Sequence, residues 1–139
     1  LDPHVWLKNG WFFLYSVAHC YPDYPNDVTK RKYYDFVQNF PLFIPNDELQ
    51  KKFISLLDTF PVTPYLDNKD SFTYWVHFIQ NKLNYEIGQP EKTFHQHLDD
   101  YYDEYIPQPI VVSQKWKIQK KYLVWGVLAI CFSFILYFS

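Results

Sequence analysis

The chain has 139 residues and a formal net charge of −2, the length of one domain with a single core. Without a strongly basic balance, nucleic acid is excluded as the main partner. Aromatic residues make up 22% of the chain against only 3 glycines, so bulky side chains are expected to fill helix–helix contacts rather than flank tight hairpins.

Trp6, Trp11, Leu14, Val17, Ala18 and Tyr21 recur at helical spacing and predict a first amphipathic helix. Tyr21-Pro22 and Tyr24-Pro25 end it, because the residue before a proline is pushed out of the helical region. Leu1 to Lys8 has charges and a proline but no long apolar run, so no signal peptide is expected at this end. Asn26 or Asp27 caps a second helix to about Phe40, with Tyr33, Phe36, Val37 and Phe40 inward and Lys30, Arg31 and Lys32 as a solvated patch. Pro41 and Pro45 bracket a linker. Asn46 then caps a third helix from Asp47 to about Phe60, with Leu49, Phe53, Leu56, Leu57 and Phe60 inward and two acidic residues where the helix dipole favours them.

Pro61 to Asp70 reads as a loop. Phe72 to Pro90 follows as the organising helix: Phe72, Trp75, Val76, Ile79, Leu83 and Ile87 share one face, Asp70 and Ser71 are its N-cap candidates, and Gly88 with Pro90 stops it. A shorter helix runs from Thr93 to about Tyr105 with an acidic surface, Asp99, Asp100, Asp103 and Glu104. His95 and His97 beside these carboxylates read as solvated surface rather than a metal site. Residues 107–121 form a proline and lysine spacer. Residues 122–139 carry no charge and follow a lysine cluster, which predicts a single-pass C-terminal transmembrane helix with the lipid bilayer as a partner and the domain on the positive-inside face. Two cysteines, Cys20 and Cys131, are too few for a disulfide framework or a four-ligand zinc site, and no metal is expected.

Trp75, Asn81, Asn84, Gly88 and Pro90 form a spaced set that helical periodicity leaves unexplained. The set resembles the signature helix of the Erv/ALR family of FAD-dependent sulfhydryl oxidases, whose pattern reads W, four residues, then HN-x-VN-x-x-LGKP. The order of Trp6, Trp11, Leu14, Val17, Ala18, Tyr21 and Pro22 resembles that family's first helix. The resemblance covers about Trp6 to Pro90. It implies an all-α fold, a bundle of four or five helices in residues 1–106, and it allows a homodimer. It also implies candidate flavin contacts at Trp11, Tyr15, Trp75, Asn81 and Asn84.

Three departures from the family's pattern fall in the flavin pocket that it implies. Tyr15 and Gln80 stand where the family has histidine, and Gln89 stands where it has lysine. The family's redox motif is a proline followed by C-x-x-C, then a His-aromatic pair. Aligned through Ile44-Pro45, the cysteine positions hold Asn46 and Leu49, and the pair reads Lys52-Phe53. Neither Asn46 nor Leu49 can form the thiolate or disulfide that dithiol chemistry needs. The expectation from the sequence is therefore a chain with no cofactor and no enzymatic activity. It would be a membrane-anchored scaffold resembling the anchored homologues of large DNA viruses, tethering other structural or capsid proteins to a virion internal membrane. The alternative is an FAD-binding thiol oxidoreductase that uses a dithiol supplied by a partner chain. A membrane receptor or assembly factor independent of thiols is a third reading.

Overall fold

The computed structural model describes residues 3–106, 122–125 and 127. The chain divides into two compact units, Leu1–Tyr105 and Ile106–Ser139. The expected spacer and most of the expected membrane span lie outside the described residues. Among the described residues, no helix is long and apolar enough to cross a membrane.

The first unit is helical, and no strand occurs among the described residues. Its helices are α1 (Pro3–His19), α2 (Asp27–Asn39), α3 (Asp47–Thr59), α4 (Lys69–Glu86) and α5 (Phe94–Asp103). Helix starts follow local side-chain chemistry. Asn26 accepts a hydrogen bond from the Thr29 amide and starts α2. Asn46 does the same for the Leu49 amide at the start of α3. Each satisfies an amide that the first turn leaves without a partner. Thr93 and Gln96 form a reciprocal capping box on α5.

Two local expectations change. The cap of α4 is Asn68, which accepts from the Ser71 amide at 2.9 Å, while Asp70 and Ser71 lie inside the first turn. The proline-bracketed linker is a 3₁₀ turn, Phe40–Phe43, and Phe40 and Pro41 are buried. The turn carries its proline near its start, where a missing amide hydrogen costs nothing.

Helix α4 is the central element and touches α1, α3 and α5. Phe72, Trp75, Val76, Ile79 and Leu83 on its buried face are each at most 2% exposed. Aromatic contacts knit the other elements together around this face. Trp6 meets Phe40, Phe40 meets Phe53, and Trp11 stacks on Phe53 with ring centroids 5.9 Å apart. Tyr21 packs edge-on against Phe72 and donates its hydroxyl to the Leu66 carbonyl at 2.7 Å. Gly88, at φ +70°, turns the chain after α4 in a conformation that a side chain would strain. The chain then returns along α5, which lies against both α1 and α4.

Candidate functional site

A cleft of about 630 Å³ opens between α1, the C-terminal half of α4, the turn after it, and α5. That volume lies within the usual range for small-molecule and cofactor sites. Trp11, Phe12 and Tyr15 line it from α1, Gln80 and Asn84 from α4, and His97 and Tyr101 from α5. Gln89, Pro90 and Lys92 contribute from the turn.

The wall holds polar atoms with nothing to bond to. Trp11 Nε1, Tyr15 OH, Gln80 Oε1 and His97 Nε2 are buried, lack hydrogen-bond partners, and belong to residues that line this cleft. Buried polar groups are nearly always paired, so several orphans on residues that line one cavity make that cavity the candidate ligand site. Burial pushes the Tyr15 phenol far above its ordinary value, with the Asp100 carboxylate acting in the same direction. Tyr15 therefore stays a neutral hydroxyl, able to donate or accept.

The turn that closes the cleft is pinned by Asn81. Its amide donates to the Lys92 carbonyl at 2.7 Å, and its carbonyl accepts from the Lys92 amide at 3.0 Å. Asn84 donates to the Pro90 carbonyl at 3.4 Å. Two cations stand among the lining residues, each held by a carboxylate: Lys8 by Glu104 at 2.7 Å, and Lys92 by Asp100. Helices α1 and α5 also meet through the Tyr101 ring, which lies against Phe12, Tyr15 and His19.

The candidate residues read from the sequence separate into three places. Trp11, Tyr15 and Asn84 come together on the cleft wall. Asn81 lies behind the turn and fixes its backbone. Trp75 is in the core, donating its indole N–H to the Phe60 carbonyl at 3.2 Å. At the start of α3, the Asn46 side chain is occupied by the Leu49 amide, and Leu49 is buried. One turn further on, Phe53 stacks on Trp11, so α3 backs onto the cleft wall. Lys52 ties α3 to the end of α4 by donating to the Glu86 carbonyl at 2.9 Å.

His97 is the residue that sequence reasoning misplaced. It is 2% exposed, while His95 is exposed at the surface. Its spacing of four from Tyr101 put both on the buried face of α5, a signal that the run of nearby carboxylates obscured. Among the described residues no cluster suited to hold a metal occurs.

The aromatic and polar wall of the cleft fits a planar ring system such as a flavin. The wall combines N–H and O–H donors with a carbonyl acceptor, and its aromatic rings can stack on a planar heterocycle. Known proteins resemble the chain in sequence and in fold. The chain is 27% identical over 95 residues to the probable FAD-linked sulfhydryl oxidase R368 of Acanthamoeba polyphaga mimivirus, a match spanning 68% of this chain and 66% of that protein. The crystal structure of the yeast Erv1 core matches with a TM-score of 0.66 at 22% identity, over 74% of this chain and 86% of that one. The FAD-binding domain of Erv1 from Saccharomyces cerevisiae matches with a TM-score of 0.65 at 22% identity, over 74% and 96%.

These relatives overturn two expectations, that the chain takes no cofactor and that it is not an enzyme. The error has a physical source. Tyr15, Gln80 and Gln89 count as losses when compared with the family's residues one by one. In the folded chain all three line the cleft, and Tyr15 and Gln80 bring unpartnered polar atoms to it. Lys92, three positions past Gln89, lines the same cleft as an ion pair with Asp100. The model of the Erv1 / Alr family matches residues 8–103, more than half of the sequence, and the chain belongs to that family.

Proposed function

We propose that this chain binds FAD in the cleft between α1, α4 and α5 and acts as a thiol oxidoreductase whose dithiol is supplied by a partner chain. The observation that carries the reading is the group of unpartnered polar atoms on the cleft wall, Trp11 Nε1, Tyr15 OH, Gln80 Oε1 and His97 Nε2. When bound, FAD accepts the two electrons released as a dithiol closes to a disulfide. The chain's own residues do the holding. Trp11, Phe12 and Tyr15 offer ring faces and hydrogen bonds, Gln80 and Asn84 offer amide groups, and Lys8 and Lys92 would hold a pyrophosphate by exchanging their carboxylate partners Glu104 and Asp100 for it.

The dithiol is assigned to a partner because Asn46 and Leu49 occupy the positions where the family pattern has its C-x-x-C pair. The start of α3 is the natural docking point for that dithiol, since Phe53, in the next turn after Leu49, stacks on Trp11 of the cleft wall. For residues 122–139 the uncharged sequence supports a membrane anchor, which extraction of the full chain from membranes at alkaline pH would test.

The experiment is a flavin titration followed by anaerobic reduction. The purified chain should take up FAD in a one-to-one complex. Its visible absorbance should bleach faster with a C-x-x-C peptide or protein than with dithiothreitol at equal thiol concentration. A folded chain that stays colourless in excess FAD, or a flavin that no dithiol reduces, would refute the proposal.

A further inference from the structure

His77 on α4 and His97 on α5 are buried, and their Nδ1 atoms lie 2.8 Å apart. A neutral imidazole carries one N–H and one bare nitrogen, so in this contact one ring donates and the other accepts. The choice fixes what each ring offers at its other nitrogen. If His97 donates, its Nε2 is a bare acceptor; if His77 donates, the His97 proton must sit on Nε2. That Nε2 is buried without a partner, on a residue that lines the cleft.

We infer that His77 donates to His97 and holds it in the Nε2–H tautomer, so that His97 gives a hydrogen bond to an acceptor atom of FAD bound in the cleft. This rests on the flavin reading above. His97 is the binding residue and His77 positions it.

Complementarity selects this arrangement over its opposite. Flavin and adenine rings present more bare nitrogens and carbonyl oxygens than N–H groups, so donors on the wall are the groups they need. Gln80 Oε1 already supplies an unpartnered acceptor; a bare His97 Nε2 would add a second. Charge does not compete with tautomerism here. Burial, then the neighbouring His77 and Lys92, pulls His97 down to about 4, with Asp100 opposing. Burial lowers His77 as well. The groups around His97 are Tyr15 from α1, His77 from α4, Lys92 from the turn, and Asp100 and Tyr101 from α5. At pH 7 both histidines are neutral, and only the position of one proton remains to be set.

The test pairs a spectroscopic reading of the unliganded chain with flavin affinity. Nitrogen NMR of the imidazoles at pH 7 should show the His97 proton on Nε2. His97→Phe keeps the ring packing but removes both nitrogens, and it should weaken FAD binding about tenfold, the size of one well-placed hydrogen bond. His77→Phe, which leaves His97 its nitrogens but frees the proton to move to Nδ1, should weaken it by a smaller factor. His77→Asn, whose amide N–H can replace Nδ1–H, should return affinity to within about threefold of the wild type. The NMR reading needs no variant, so a misfolded substitution does not spoil the test. A proton found on His97 Nδ1, or a folded His97→Phe chain that binds FAD as tightly as the wild type, overturns the inference and leaves the flavin reading standing. A wild-type chain that takes up no FAD overturns both.

Discussion

Asn81→Ala removes the clamp between α4 and the turn that leads into α5. Two hydrogen bonds are lost, at 2.7 Å and 3.0 Å, both to the backbone of Lys92. A neutral hydrogen bond contributes about 0.5–1.5 kcal/mol net. Lys92 is exposed, so water can replace part of what the amide gave, which places the combined loss at about 1–2 kcal/mol. For a folded unit of this size that corresponds to a fall in Tm of roughly 4–8 °C. The damage should also reach the cleft, because Lys92 lines it and Thr93 immediately afterwards caps α5. FAD affinity should therefore drop together with stability. Asn39→Ala is the matched control: its amide bonds only to the Asp35 carbonyl, one turn back on the same helix, and it should cost under about 0.5 kcal/mol. Urea denaturation of both variants, with flavin titration alongside, decides the matter. Equal losses for Asn81→Ala and Asn39→Ala, or an Asn81→Ala chain within about 0.5 kcal/mol of the wild type, would show that the clamp does not hold the turn.

Asn46→Ala should cost about 1 kcal/mol in chemical denaturation, because the Leu49 amide loses its capping acceptor, and Asn46→Asp should restore most of it. Tyr15→Phe should separate stability from binding. Removing a buried, unpartnered hydroxyl should leave the flavin-free chain as stable or more so, while FAD binding weakens measurably by fluorescence. Stability should also depend on pH through the histidine pair. The folded state lowers His97 from 6.5 to about 4 and lowers His77 in the same direction, so the unfolded chain binds more protons in that window. This contribution is complete above about pH 6.5 and is lost as the pH falls towards 4. Thermal melts across that range should show the decline, and His97→Phe should flatten it; an unchanged slope would mean that other groups carry the dependence.

Local chemistry made most of the helices legible from the sequence. Asn26 and Asn46 cap where expected, and the stripe from Phe72 to Leu83 is buried as its spacing required, because a cap or an i, i+4 face involves residues within one or two turns. Even locally, competition between neighbours was hard to resolve. Asn68, Asp70 and Ser71 can all cap, and the choice of Asn68 depends on where the chain arrives from the preceding 3₁₀ turn, Thr63–Tyr65.

The candidate site was legible only in part. Trp11, Tyr15 and Asn84 reached the cleft, while Trp75 went to the core and Asn81 to the backbone of the turn. Residue identity alone made Tyr15 and Gln80 look like damage to a flavin pocket. Whether a hydroxyl or an amide is damage depends on what faces it, and those partners come from α1, α4 and α5, far apart in the chain. His97 shows the same limit most plainly. Among acidic neighbours it reads as surface, yet the packing of α5 against α1 and α4 buries it, pairs it with His77 and leaves Nε2 unpartnered on a cleft residue. The sequence determined the helices, because their spacing and caps are short-range. The tertiary fold alone decided the cleft and its unpaired polar atoms, because burial and hydrogen-bond satisfaction are properties of surfaces that meet only when the chain has closed.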